Sequence, residues 1–169
     1  MKAKKLAVLA LLAAVALGIF VLELQIPPIV PVPGIKLGLS NIVTVFTVFA
    51  LGSRDGCAVL FVRIFLGAVF AGNFASILYS AAGGACAISI TVLLRHILKK
   101  DQLWVAGCLG AMAHSVGQMA AAVILSGTPA ILVYLPIMLA CSILSGVFTG
   151  LCAQILVNRG DHIWKTFLK

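Results

Sequence analysis

Apolar runs follow one another along the whole chain, separated only by short charged or Gly/Pro-rich breaks. They cover Leu6–Ile26, Leu37–Leu51, Cys57–Gly72, Ser76–Leu94, Leu103–Leu125 and Ala130–Val157, most of them near the ~20 residues that a bilayer-spanning helix needs. The pattern predicts one all-α domain over residues 1–169, an integral membrane bundle of six transmembrane helices. The second and third runs are short, so those helices borrow flanking residues or thin the bilayer locally. Gly52-Ser53-Arg54-Asp55-Gly56 and Gly127-Thr128-Pro129 read as turns by composition. The first run follows a lysine-rich start and contains Ala14-Val15-Ala16, which has the form of a signal-peptidase site. It continues to Leu22, longer than a usual signal core, and therefore reads as a retained span.

Between the first and second runs lies PPIVPVPGIKLGLSN. Pro27, Pro28, Pro31 and Pro33 lack amide donors and fix φ, so they forbid a continuous helix and hold the segment extended until Gly34. Lys36, Ser40 and Asn41 follow at the mouth of the next helix. A stiff loop leading into polar residues at a helix entrance suits the cover of a small-molecule site between helices; a plain connector between spans is the simpler alternative.

Composition agrees with the pattern. With 63% hydrophobic and 9% charged residues and a mean hydropathy of +1.22, the chain has too little polar surface to coat a soluble globule. The net charge of +8 sorts with the breaks. With the N-terminus inside, Lys2, Lys4, Lys5, Arg54, Arg95, Lys99, Lys100, Arg159, Lys165 and Lys169 are cytoplasmic, whereas Lys36 lies outside and Arg63 within a span. This positive-inside bias predicts both ends in the cytoplasm of a multi-pass cell-membrane protein. The charge reports topology and anionic lipid headgroups, not nucleic acid. Ile163, Trp164, Phe167 and Leu168, interleaved with Lys165 and Lys169, suit a short helix on the inner leaflet or a frayed end. Cys57, Cys86, Cys108, Cys141 and Cys152 form no C-x-x-C pair and read as small buried fillers. The three histidines lie apart from acids and thiols, so neither a metal nor another cofactor is expected.

The chemistry then rests on polar residues inside the membrane, each costly there. Depth along six spans puts Glu23, Gln25, Asn41, Asn73, Tyr79, Gln118 and Tyr134 in the outer half, with Arg63 and His114 near the middle. Convergence on one outward-facing cavity is the functional reading, and separate interhelical hydrogen bonds are the structural one. The expected substrate-binding residues are Lys36, Asn41, Arg63, Asn73, Tyr79, His114 and Gln118. Lys36 and Arg63 outnumber Glu23, which favours an anionic ligand. Glu23 also suits pairing with Arg63 or Lys36. A second pattern is a smooth stripe on the first helix, Ala3, Ala7, Ala10, Ala14 and Gly18, suited to close approach by a partner helix; Ser142, Gly146 and Gly150 repeat the spacing on the sixth and suit packing within the bundle.

PGIKLGLSN, Arg63 followed by Leu66-Gly67, SILYSAAGGACAIS, GAMAHSVGQ and YLPIMLACSILSGVFTG together resemble the membrane family labelled heptaprenyl diphosphate synthase component I, also called the Gx transporter family. The resemblance runs from about Pro33 to Leu151 and departs where Ser115 follows the histidine in place of asparagine. The family is similar to the substrate-binding S components of energy-coupling factor transporters, six-helix membrane proteins. The resemblance therefore implies an S-component-like fold, a vitamin-like or isoprenoid/quinone-related precursor as substrate, and a transmembrane coupling subunit with ATPase subunits as partners, met by an alanine-rich first helix. The enzyme label implies diphosphate chemistry, which needs magnesium held by clustered carboxylates. Glu23, Asp55, Asp101 and Asp161 are scattered, so the chain reads as non-enzymatic, and it has no P-loop with which to hydrolyse ATP itself. The alternatives are a non-catalytic membrane accessory of polyprenyl diphosphate or quinone synthesis, and an assembly factor without a ligand.

Overall fold

The computed structural model describes residues 2–26, 38–72 and 75–167. Among these, six α-helices follow in order: α1 (Lys2–Glu23), α2 (Asn41–Ala50), α3 (Ser53–Ala71), α4 (Ala75–Arg95), α5 (Leu103–Ser126) and α6 (Leu135–Phe167), with 3-10 turns at Lys100–Gln102 and Pro129–Tyr134. No strand occurs among the described residues. Four segments are long and apolar enough to cross a membrane: Ala3–Glu23, Ile77–Arg95, Lys100–Ser126 and Pro129–Gly160. The chain is thus an all-helical, multi-pass membrane protein.

The other two helices differ from the sequence expectation in ways that matter for the site. α2 has 10 residues, a rise of about 15 Å, or roughly half the hydrocarbon thickness. It is shorter than the Leu37–Leu51 run because glycine backbones bound it: Gly38 has φ 76° and Gly52 φ 130°, conformations that side-chain-bearing residues rarely adopt. α3 starts at Ser53, so the expected five-residue turn shrinks to Leu51–Gly52, and Ser53–Gly56 is its first helical turn. Asp55 suits that position, since a carboxylate near a helix N-terminus opposes the helix dipole. It also pairs with Lys5 at 2.8 Å. α3 carries Arg54, Asp55 and Arg63 along its 19 residues.

α2 is the centre of the bundle, touching α1, α3, α4, α5 and α6, and Asn41, Val43, Thr44, Val45, Phe46, Thr47 and Val48 are all buried. A helix this apolar, with only Asn41, Thr44 and Thr47 polar, belongs in a core, not at a surface. Below it Val45 and Phe46 pack with Leu103, Ala106, Ala153 and Val157, and Val43 packs with Ala13, Ala16 and Val59.

The basic residues gather at one end. Lys5–Asp55 ties the starts of α1 and α3, Arg95 Nη1 donates to Ser53 Oγ at 3.3 Å, and Asn158 Nδ2 donates to Asp101 Oδ1 at 3.0 Å. Beyond Val157, α6 continues as the same helix to Phe167 instead of giving way to a separate surface helix or a frayed end. Nothing between these residues has the proline or left-handed glycine that stops a helix. Cys57 and Cys86 are exposed rather than buried fillers, and the other three cysteines are partly buried.

α5 and α6 meet backbone to backbone. A Cβ at Gly146 would lie 2.7 Å from the Gly107 carbonyl oxygen, and one at Gly150 2.6 Å from Trp104 Cα. Ser115 and Ser142 hydrogen bond across the same seam at 2.5 Å, so the small residues of α6 serve packing within the bundle. Gly18 on α1 has nothing within 4 Å of such a Cβ. Gly146→Leu should therefore destabilise the solubilised protein by about 1–3 kcal/mol or more, seen as a lower thermal midpoint, whereas Gly18→Leu leaves the midpoint unchanged. Equal midpoints for both would show that the seam does not set stability.

Candidate functional site

The polar residues meet where α2 begins. Ser40 and Asn41 stand at its N-terminal end, Arg63 projects from α3, and His114 and Gln118 occupy one face of α5, four residues apart and so stacked on successive turns. Glu23 closes the group from the end of α1. None of the six is more than 5% exposed. Arg63, Gly83 and His114 lie about 15–18 Å along their helices from the basic end, so the half-length of α2 brings its polar N-terminus to their level.

Arg63 Nη1 donates to Ser40 Oγ, and the guanidinium lies 5.9 Å from the Phe20 ring centroid, within the range of a cation–π contact. Glu23 attracts the same charge and accepts a hydrogen bond from the Gly38 amide at 2.5 Å. The Gln118 side-chain amide is hydrogen bonded to His114 Nε2. This pair packs against α4 at Gly83, where a Cβ would sit 2.8 Å from Gln118 Cγ and 2.9 Å from His114 Cε1. Glycine is needed there for closeness, not for turning.

Several buried atoms find no hydrogen-bond partner among the described residues: Arg63 Nε and Nη2, both amide atoms of Asn41, and Thr44 Oγ1, one turn further along α2. Buried polar groups are ordinarily satisfied, and each that is not costs about 1–3 kcal/mol, more when charged. Unmet donors and acceptors from adjoining helices are the arrangement that a bound polar molecule completes.

Of the expected substrate-binding residues, Asn41, Arg63, His114 and Gln118 come together. Lys36 and Asn73 lie outside the described residues, as does most of the proline loop. Tyr79 is elsewhere: it packs with Met119, Ala122 and Met138, flanked by Tyr134, an apolar cluster one turn along α4 and α5 from Gly83 and Gln118. Gln25 is exposed and does not converge. Ser115 faces α6, since adjacent helical residues point about 100° apart. Two participants, Ser40 and Gly83, were absent from the expected set. Ser40 is signalled only by its place beside Asn41 at a helix entrance, and Gly83 by the Gly-Gly pair in SAAGGACAIS. The five small residues of the α1 stripe, Ala3, Ala7, Ala10, Ala14 and Gly18, are all exposed, while Ala13, Ala16 and Phe20 face the bundle.

The acids are dispersed as well. Asp55 and Asp101 are engaged at the basic end and Glu23 in the cluster, and among the described residues no three metal-binding side chains assemble.

A family model described as heptaprenyl diphosphate synthase component I matches residues 12–156. No curated protein and no solved structure matches the chain.

Gly38 holds the cluster closed from above. Its φ is 76°, and a Cβ there would lie 2.9 Å from Asn41 Nδ2 and 3.1 Å from His114 Cδ2. Gly38→Ala should cost about 1–3 kcal/mol through strain at that backbone conformation, measured as a lower thermal midpoint. A midpoint equal to that of the parent protein would mean that the segment before α2 does not rest on these side chains.

Proposed function

Starting from the fact that the chain belongs to the heptaprenyl diphosphate synthase component I family, we propose that it is the substrate-binding membrane subunit of an uptake system, similar to the S components of energy-coupling factor transporters. Its ligand is a small anionic, vitamin-like or isoprenoid/quinone-related precursor, bound by Asn41, Arg63, His114 and Gln118. Lys36 and Asn73 are assigned to the same site by their place in the sequence, and Tyr79 to its apolar flank. The observation that carries this reading is the set of unmet hydrogen-bonding atoms on Arg63 and Asn41, buried among otherwise apolar helices. Intramembrane charges that face a bundle interior usually mark a substrate or ion pathway.

In this reading all six helices span the cell membrane, α2 and α3 as a short pair, with the basic end cytoplasmic. The α1 stripe docks a transmembrane coupling subunit, which delivers work from ATPase subunits. The exposed placement of all five small residues supports a helix–helix interface there. A second reading draws on the family description, which names one component of a synthase: the chain is then a non-catalytic membrane accessory of polyprenyl diphosphate or quinone synthesis. The dispersal of its acids fits an accessory better than a diphosphate-handling catalyst.

Co-purification separates the two. ATPases and a coupling subunit retained on the tagged chain support uptake, and a soluble prenyl synthase supports the accessory role. Native mass spectrometry of the gently purified protein should show a bound small molecule, lost when His114 or Gln118 becomes leucine in a folded variant; retention in both would place the binding site elsewhere. Ala7→Trp should leave that bound mass intact but remove the coupling subunit, because overpacking at a close helix contact costs about 1–3 kcal/mol, tenfold or more in affinity.

A further inference from the structure

The guanidinium of Arg63 is half used. Nη1 is engaged by Ser40 Oγ, and the face is approached by the Phe20 ring. What remains is one edge, Nε–H and Nη2–H, two parallel donors in a plane, both buried and without a partner among the described residues. That edge matches the two oxygens of a carboxylate or two oxygens of a phosphate.

The surroundings separate the two. A phosphate or diphosphate carries further oxygens and at least one more charge, and protein sites meet these with free backbone amides at a helix N-terminus or with cations. The start of α2 is the nearest such terminus, and its amides are occupied: Asn41 N donates to Gly38 O at 2.9 Å, Ile42 N to Leu39 O at 3.2 Å and Val43 N to Ser40 O at 3.3 Å. The Gly38 amide is taken by Glu23. Glu23 also acts on Arg63, so part of the guanidinium's charge is balanced before any ligand arrives.

We infer that the ligand enters the site through a single carboxylate, held side-on by Nε and Nη2 of Arg63, and that Ser40 sets the guanidinium for this by fixing Nη1. The inference rests on the reading of the cluster as a ligand site and narrows the anion to one class. It favours a carboxylate over a prenyl diphosphate as the molecule seated on Arg63, whatever the synthase in the family description acts on.

Benzoate and phenyl phosphate carry the two heads on the same ring and serve as probes of the full chain in detergent. Benzoate should raise the thermal midpoint saturably, and phenyl phosphate should require about tenfold more for the same rise. Arg63→Lys keeps the charge but loses the planar fork, and should weaken benzoate about tenfold or more. Ser40→Ala keeps the whole guanidinium and frees it to turn, which should weaken benzoate several-fold even if the Arg63 variant does not fold. Phenyl phosphate binding as well as benzoate and depending on Arg63 would overturn the carboxylate assignment and leave the ligand site standing. Benzoate binding unchanged in Arg63→Lys or in Ser40→Ala would overturn the fork. If neither probe acts, a co-purified small molecule still lost in His114→Leu shows that only the carboxylate inference has failed. If no such molecule is found either, the ligand-site reading fails with it.

Discussion

A guanidinium cannot be taken out of water without compensation, and Arg63 sits in the middle of a chain that offers little. An unpaired ion in such surroundings costs several kcal/mol even after the protein relaxes. Among the described residues Ser40, Glu23 and the ring of Phe20 supply the compensation, from the start of α2 and the end of α1. Holding them together requires the end of α1, the start of α2 and the middle of α3 to reach one level. Only a short α2 does this: a full-length helix between Gly38 and Gly52 would carry Ser40 and Asn41 to the membrane surface, away from Arg63. The half-length of α2 and the charge on α3 therefore depend on each other.

The remaining helices act as the wall against which this assembly closes. α5 and α6 approach closely through Gly107, Gly146 and Gly150, and α4 reaches α5 at Gly83 and Gly117, where a Cβ would lie 2.7 Å from the Ala82 carbonyl oxygen. Such contacts between backbones leave few alternative rotations for α5. Its rotation decides that His114 and Gln118 face Arg63 while Ser115, one residue on, faces Ser142. Precise placement of a site on rigid helices is achieved here with the smallest side chains, because in lipid the gain on helix association comes from close packing and not from removing apolar surface from water.

Much of this was legible from residue order. The apolar runs marked the four long helices because hydropathy over ~20 residues has few competing explanations. Glu23 was expected to pair with Arg63 or Lys36; its charge does act on Arg63, and Lys36 lies outside the described residues. The clustering of Asn41, Arg63, His114 and Gln118 followed from depth, since residues at one level of a bundle have few places to go. Helix ends near glycine were less legible. Gly52-Ser53-Arg54-Asp55-Gly56 has turn composition throughout, and composition does not say that Gly52 alone turns while Ser53 already begins α3. Tyr79 stands apart from the other four because depth gives level but not rotation: it packs with Met119 and Met138. Ser40 was overlooked as a partner because a serine at a helix entrance ordinarily caps the helix, whereas here its hydroxyl serves Arg63 and makes no cap.

The unmet atoms also tie binding to folding. Arg63 Nε and Nη2 and the Asn41 amide each carry a penalty of about 1–3 kcal/mol or more while they lack partners, so the closed arrangement without a ligand is held against a cost concentrated at one place. A ligand that satisfies them removes that cost in the closed arrangement alone and stabilises it by mass action. Gly38 lies directly over Asn41 and His114 and so is in direct contact with the atoms affected. Opening at that end of α2 would break polar contacts, the Glu23–Gly38 and Arg63–Ser40 hydrogen bonds, whereas opening at the other end would disturb the packing of Val45 and Phe46 against Leu103 and Ala153.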